Sequence, residues 1–386
     1  MTYPGSDKLK IYIIAAALPP ALDGIGDYTA LLALEIARSH TVTILTGQAQ
    51  PTPIAGVVVE TLFSVSESAS VRDLIARIES GPPDWVLLQY NPFSYGRWGC
   101  NLHLPGVIAE IKRRCPKTRI TVMMHEYFAE PVDNWRFAIM NTWQRWQFWS
   151  LGQSADLLFF SMEASAHRFQ RWFPRTPCRH LPVGSNLPHV SLKRSEARAR
   201  LGIETQTLVF GLFGSAHISR LLNWARLAAE AVAANGHDVC VLYVGPDQHK
   251  VCQALGSVPL IADGAAAPEE ASRRLAAMDI YLLPFADGVS TRRGTLMAGL
   301  QHGLAILGTR GCHTEGILGD HHDKALLLAE MQSSEAFAAT ALRLTDNVLL
   351  RERLGQNARL LYDAHFSWPR IAERQLQAMA DCAERS

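Results

Sequence analysis

The sequence predicts an α/β protein of two doubly wound domains, and three observations carry that expectation. The chain has 386 residues, more than one hydrophobic core usually organises. Short apolar, β-rich runs recur between longer helix-compatible segments, the pattern of parallel strands covered by helices on both faces. The pattern runs twice. A looser Pro- and Gly-containing stretch separates the two series and sets a boundary near Pro188, giving a first domain over 1–187 and a second over 188–365.

The first strand is "KIYIIAAA", too short to span a bilayer and followed by prolines and an acidic loop, so it reads as a strand rather than a leader or anchor. "TVTILT", "GVVVETL", "DWVLLQY", "RITVMMH" and "DLLFFS" continue the first sheet. Beyond "CRHLPVGSNLPHVSLKRSEARARLG", the runs "TLVFGLFG", "DVCVLYVG", "VPLIADG", "IYLLPFADG" and "LAILGT" form the second. The last segment, "FSWPRIAERQLQAMADCAERS", is a helix over 366–386 with Ile371, Leu376 and Met379 available for packing.

Lys plus Arg number 37 against 36 for Asp plus Glu, so the chain as a whole has no electrostatic drive toward nucleic acid or an anionic surface. Any anion must be met locally. The seven cysteines are scattered without a C-x-x-C pair, as expected of buried thiols in a reducing cytoplasm. No apolar run approaches the roughly 20 residues of a transmembrane helix, which leaves docking on a membrane surface as the open form of membrane contact.

Ligands of open parallel sheets gather outside the carboxyl ends of the strands, so the loops that follow strands are where chemistry belongs. With two such domains, the expected site is the cleft between them. After the first strand, "LDGIGDYT" places Gly24 and Gly26 before a helix, the arrangement that brings backbone amides to a phosphate. Asp27 fits a pure phosphate cradle badly; it complements the helix dipole and is a candidate to face an acceptor hydroxyl. In the second domain, "LLPFADGVSTRRGTLMAGL" carries Asp287, Ser290, Thr291, Arg292 and Arg293 ahead of a helix starting near Gly294 or Thr295. Its free amides and two guanidinium forks make a candidate diphosphate site. The competing reading is that both arginines pair with acidic surface groups. "LFGSAHISR" puts Gly214 and Ser215 in a loop and Arg220 in the first turn of a helix from about Ser219, where a cation opposes the dipole and so points to another task.

Together with "LLQYNPFSYGRWG", "LPVGSN" and "FSWPRIAERQL", these stretches resemble the GT-B-fold glycosyltransferases of family 4, in a bacterial branch with an Asp-Gly-x-Ser-x-Arg-Arg loop. The likeness spans nearly the whole chain. It implies two Rossmann-like domains facing a cleft, a nucleotide-diphosphate sugar (a UDP-sugar foremost) held mainly by the second, an acceptor held mainly by the first, and transfer with anomeric retention. It also implies that the C-terminal helix crosses back onto the first domain, and that no metal or other cofactor is bound. Position by position, it places Gly24 and Gly26 near the donor phosphates and the acceptor, His125 near the transferred sugar, and Arg220 on the diphosphate. The preceding family arginine falls on Ser215, a loss that Arg292 or Arg293 would compensate. The family's two glutamates fall on Ser290 and Ala298, so neither carboxylate is present; Asp287 is the candidate to take over one contact. Catalytic candidates are therefore His125, Arg220, Arg292 and Arg293. Donor-side candidates are Gly24, Gly26, Gly214, Ser215, Asp287, Ser290, Gly294 and Thr295.

On the acceptor side stand Asp27, Tyr90, Asn91, Tyr95, Arg97 and Glu126, with simple loop packing as the alternative for the segment after the fourth strand. Two readings compete with the transferase: a sugar-nucleotide epimerase or pseudo-transferase on the same fold, and a silent sugar-nucleotide-binding protein, which the missing glutamates suggest. "GCHTEGILGDHHDKA" gathers His313, Glu315, Asp320, His321, His322 and Asp323, but the spacing fits no metal template and reads as a polar loop. Trp143, Trp146 and Trp149, with Trp135 upstream, make an aromatic stripe on a helix, open to packing, an acceptor platform, a dimer contact or a membrane anchor.

Overall fold

A computed structural model of the chain describes residues 8–129, 135–331 and 333–385. The chain divides into two compact units, one of residues 1–182 and 371–386, the other of residues 183–370. Among the described residues no helix is long and apolar enough to cross a membrane.

The first unit is built on a seven-stranded sheet, with β1 (Lys10–Ala15), β2 (Thr41–Thr46), β3 (Val57–Thr61), β4 (Trp85–Tyr90), β5 (Arg119–Met124), β6 (Leu157–Phe160) and β7 (Cys178–His180) in the order β3-β2-β1-β4-β5-β6-β7. The pairings are parallel. Every residue of β4 is buried, because helices cover both faces of the sheet; this is why the central strands read as unbroken apolar runs rather than alternating ones. The edge strand β3 is exposed or half-buried throughout. Strand order reverses between β1 and β4, so the loops after them flank the switch point where such sheets bind ligands.

The helix Trp368–Glu384 enters this unit at Ile371, where Ile371 and Met379 are fully buried. Arg119 Nη2 donates to the carbonyl of Ala383 at 3.1 Å, and the Cys382 thiol lies 3.4 Å from the carbonyl of Asp156.

The second unit carries β8 (Leu208–Phe213), β9 (Val239–Val244), β10 (Leu260–Ala262), β11 (Ile280–Leu283), β12 (Ala305–Arg310) and β13 (Leu327–Glu330), in the order β10-β9-β8-β11-β12-β13. Successive side chains of β11 enter opposite layers: Ile280 and Leu282 join one core, Tyr281 and Leu283 the other, the period of two that a sheet covered on both faces requires. The helix Gly294–Gln301 lies close on β11 because residue 299 is glycine; a Cβ there would come 2.5 Å from the Tyr281 ring. The Tyr281 hydroxyl donates to the carbonyl of Thr295 at 3.0 Å, which sets the start of that helix beside the switch point between β8 and β11.

Candidate functional site

In the second unit the residues after β8 and β11 converge. Gly214 has φ of +88°, a conformation open to glycine at little cost, and a Cβ added there would sit 2.6 Å from Thr295 Cγ2. The β8 loop thus lies against the start of the helix Gly294–Gln301, which no side chain caps.

Arg220 does not lie in a helix, contrary to the sequence expectation. The helix begins at Leu222 because the preceding residues are drawn into the sheet: the amide of Leu221 donates to the carbonyl of Pro284 at 2.8 Å, that of Ala286 to the carbonyl of Ser219 at 2.8 Å, and Arg220 bridges to Phe285. Its side chain is 5% exposed. Nη2 donates to the carbonyl of Phe213 at 2.7 Å, and the guanidinium lies 5.1 Å from the Phe285 ring centre. Nε and Nη1 are buried without a hydrogen-bond partner. Burial depresses the pKa of this group, so a fixed cation is held in the fold with two donors unused.

Arg293 stands beside it, 3.7 Å from the centre of the same Phe285 ring, with its own Nε buried and unpartnered. Burial pulls its pKa down to about 10 against the opposing pull of Asp287. Asp287 pairs with Arg293, with Arg292 at 3.2 Å and with His313 Nδ1 at 2.9 Å. Burial raises its pKa, but the His313 hydrogen bond and the two guanidinium charges outweigh that and hold it below the usual carboxylate range. Both arginines therefore pair with an acid of their own loop, the largely covered Asp287, rather than with surface groups elsewhere.

The two positions where the sequence resemblance expects carboxylates are fully covered: Ser290 is 0% and Ala298 1% exposed, and the Ser290 hydroxyl has no partner. Ser215 is exposed and Thr295 half-buried. Sequence reading missed a carboxylate that does reach this loop. Buried Glu315 accepts from the amide of Thr291 at 2.9 Å and from its hydroxyl at 2.8 Å. It was visible only as one acid in a polar stretch, with nothing to tie it to Thr291.

In the first unit the helix Gly24–Ile36 is capped by Asp23, whose carboxylate accepts from the amides of Ile25 at 2.9 Å and Gly26 at 2.7 Å. That anion already occupies the helix start, so the turn is not a phosphate cradle. Gly26 serves packing: a Cβ there would lie 3.0 Å from the carbonyl oxygen of Ala17 and 3.1 Å from Leu18 Cα. Gly24 is exposed and Asp27 half-buried, the latter with its pKa raised by burial and then by Asp23.

Tyr90 and Tyr95 are corrected from acceptor contacts to core residues. Each is 1% exposed, their rings stack at 6.4 Å, and the Tyr95 hydroxyl donates to the carbonyl of Gln89 at 2.8 Å. The loop folds Tyr95 back beneath the strand ends instead of outward. Asn91 accepts from the amide of Phe93 at 2.9 Å. Arg97 and Glu126 are exposed.

His125 follows β5, its amide bonded to the carbonyl of Tyr90 at 3.0 Å. Nε2 lies 2.8 Å from Gln89 Oε1, and Tyr28 meets the ring edge-on at 4.8 Å. Burial drives its pKa down to about 3. A neutral imidazole donating through Nε2 to Gln89 leaves Nδ1 as an acceptor. That suits a group that orients a hydroxyl.

The histidine-rich loop disperses: His321 Nδ1 lies 2.7 Å from the carbonyl of Ile317, His322 Nδ1 accepts from the amide of Leu328, and His313 and Glu315 are held as above. Among the described residues no group of three or more His, Cys, Asp or Glu is placed to hold a metal ion.

No protein-family model matches the chain, and no curated protein matches it by sequence. Solved structures do match. Sucrose-phosphate synthase from Thermosynechococcus elongatus aligns with a TM-score of 0.72 at 16% identity, over 98% of this chain and 100% of that one. Anabaena Alr3699/HepE, solved in complex with UDP and glucose, aligns at 0.65 and 14% identity over 97% and 100%. A putative UDP-N-acetylglucosamine 2-epimerase from Listeria monocytogenes aligns at 0.56 and 14% over 99% and 98%. The fold is thus that of GT-B glycosyltransferases, two Rossmann-like units each on its own parallel sheet.

Proposed function

We propose that the chain is a retaining glycosyltransferase of the family 4 type that moves a sugar from a nucleoside-diphosphate sugar, a UDP-sugar foremost, to an acceptor hydroxyl without a metal ion. The observation that carries this reading is Arg220, a buried guanidinium with Nε and Nη1 unpartnered, beside Arg293 and an uncapped helix start. Buried donors of this kind are costly unless a ligand meets them, and a departing diphosphate is an anion whose growing charge they would stabilise. Asp287 would then act as a stand-in anion that holds Arg292 and Arg293 until the diphosphate arrives.

Under this reading His125 orients the transferred sugar. Asp27, Asn91, Arg97 and Glu126 remain the acceptor-side candidates, and the departing phosphate takes the proton of the attacking hydroxyl. A cytoplasmic location follows from the nucleotide-sugar substrate. The second reading, a sugar-nucleotide epimerase, is favoured by the epimerase that shares the fold. The absent carboxylates at Ser290 and Ala298 favour a silent binding protein.

Isothermal titration with UDP, UMP and uridine in EDTA tests the site. Affinity that rises steeply with the second phosphate and survives chelation is expected; equal affinity for all three, or none, would overturn the diphosphate assignment.

A further inference from the structure

We propose that the first unit docks on an anionic lipid bilayer through the tryptophan face of the helix Trp135–Ser154. This inference does not rest on the glycosyltransferase reading. Successive residues of an α-helix turn by about 100°, which places Ile139, Arg145, Trp146 and Trp149 on one outward arc. Ile139 is 47%, Trp146 45% and Trp149 50% exposed, a cluster of large apolar groups that solvent does not favour. The arc is extended by a loop clamped to the helix. Trp143 Nε1 donates to the carbonyl of Trp98 at 3.2 Å and Gln147 Nε2 to that of Gly99 at 2.8 Å. Trp98 itself sits at φ of +59°, a conformation unfavourable to a bulky residue, and it is 46% exposed. The fold thus tolerates strain at the residue that presents this indole to solvent.

Charge selects the occupant. Among the described residues of this helix and of the loop clamped to it there is no Asp or Glu, while Arg97 and Arg145 are exposed. Indoles favour the boundary between headgroups and acyl chains, and exposed arginines are drawn to anionic headgroups. A second copy of the same face would set arginine against arginine across a two-fold axis.

The test is co-sedimentation of the full chain with vesicles of phosphatidylglycerol and phosphatidylcholine, against vesicles of phosphatidylcholine alone, at low and high salt. Binding to the anionic vesicles with a blue shift of tryptophan emission is expected, weakening with salt. Trp146→Ser with Trp149→Ser, and separately Arg145→Glu, should each lower the partition coefficient about tenfold or more. Trp98→Gly suits the backbone at that position, so it should weaken binding with the fold intact by circular dichroism. Absence of vesicle binding by the unaltered chain, equal binding to neutral vesicles, or variants that bind like the parent would overturn the proposal. So would self-association in sedimentation velocity that the same variants abolish.

Discussion

Replacing Arg220 with methionine separates a residue held for a ligand from one held for the fold. The buried Nε and Nη1 have no partners, and each such donor costs about 1–3 kcal/mol; methionine removes both while filling a similar volume. Against that stand the bond from Nη2 to the carbonyl of Phe213, worth about 1.5–3 kcal/mol, and the contact with the Phe285 ring, worth about 0.5–2 kcal/mol. The two sides cancel to within about 2 kcal/mol, so the ligand-free variant should unfold close to the parent. Binding behaves differently. Loss of two charge-assisted donors to a diphosphate removes about 3–4 kcal/mol, or two to three orders of magnitude in Kd, roughly. Thermal unfolding with and without UDP reads both effects. At about 100 times Kd the parent gains about 2.7 kcal/mol, and the variant should gain almost nothing. A variant destabilised by several kcal/mol that still binds UDP like the parent would refute the reasoning and make Arg220 a structural residue.

Other predictions concern the neighbouring groups. Of the two loop arginines, Arg293 is the more covered, 13% against 32% for the Arg292 side chain, and it stacks on Phe285. Arg293→Ala should therefore be the more damaging, costing about 2–4 kcal/mol in kcat/KM for a sugar nucleotide, and a larger loss in Arg292→Ala would reverse the assignment. Gly214→Ala meets both a positive φ and Thr295 Cγ2 at 2.6 Å, so it should weaken UDP binding and lower stability by about 1 kcal/mol or more; parent-like titration and melting curves would contradict this.

His125→Ala should lower turnover with the fold retained, as checked by steady-state rates beside circular dichroism. Because the folded state keeps His125 neutral down to about pH 3, the unfolded chain binds the extra proton between the ordinary histidine pKa and that value. Its contribution to stability is complete above about pH 6.5 and falls as pH drops, by up to about 1.4 kcal/mol per unit. Denaturant midpoints from pH 7 to pH 4 should fall less steeply in His125→Gln than in the parent.

The architecture was legible because its signals are local and repeated. Strands such as β4 and β11 announce themselves as apolar runs buried on both faces, and the loops that follow them are where open sheets carry chemistry. The short strands β7 and β13 were missed because β7 is the polar triplet Cys178–His180, without an apolar run, and β13, Leu327–Glu330, is made of leucine, alanine and glutamate, which favour a helix. Within the sites, residue type was readable but partnership was not. Asp287 offered no sign that it would gather Arg292, Arg293 and His313, since such pairings depend on how a loop turns. Arg220 was singled out for opposing a helix dipole, yet it precedes the helix and is notable instead for its buried, unused donors. Tyr95 shows the reverse limit. An aromatic in a loop after a strand suggests a binding surface, whereas the chain folds it inward onto the carbonyl of Gln89.

The central claim, that this chain transfers a sugar with its second unit holding the diphosphate, is tested most directly by incubating it in EDTA with a panel of nucleoside-diphosphate sugars and acceptor extracts, and following phosphorus and proton NMR. The account predicts release of a nucleoside diphosphate, UDP foremost, with the transferred sugar keeping its anomeric configuration, and loss of that release in Arg220→Met. Interconversion of the bound sugar without glycoside formation, inversion at the anomeric carbon, or binding with no release under any acceptor condition would contradict it.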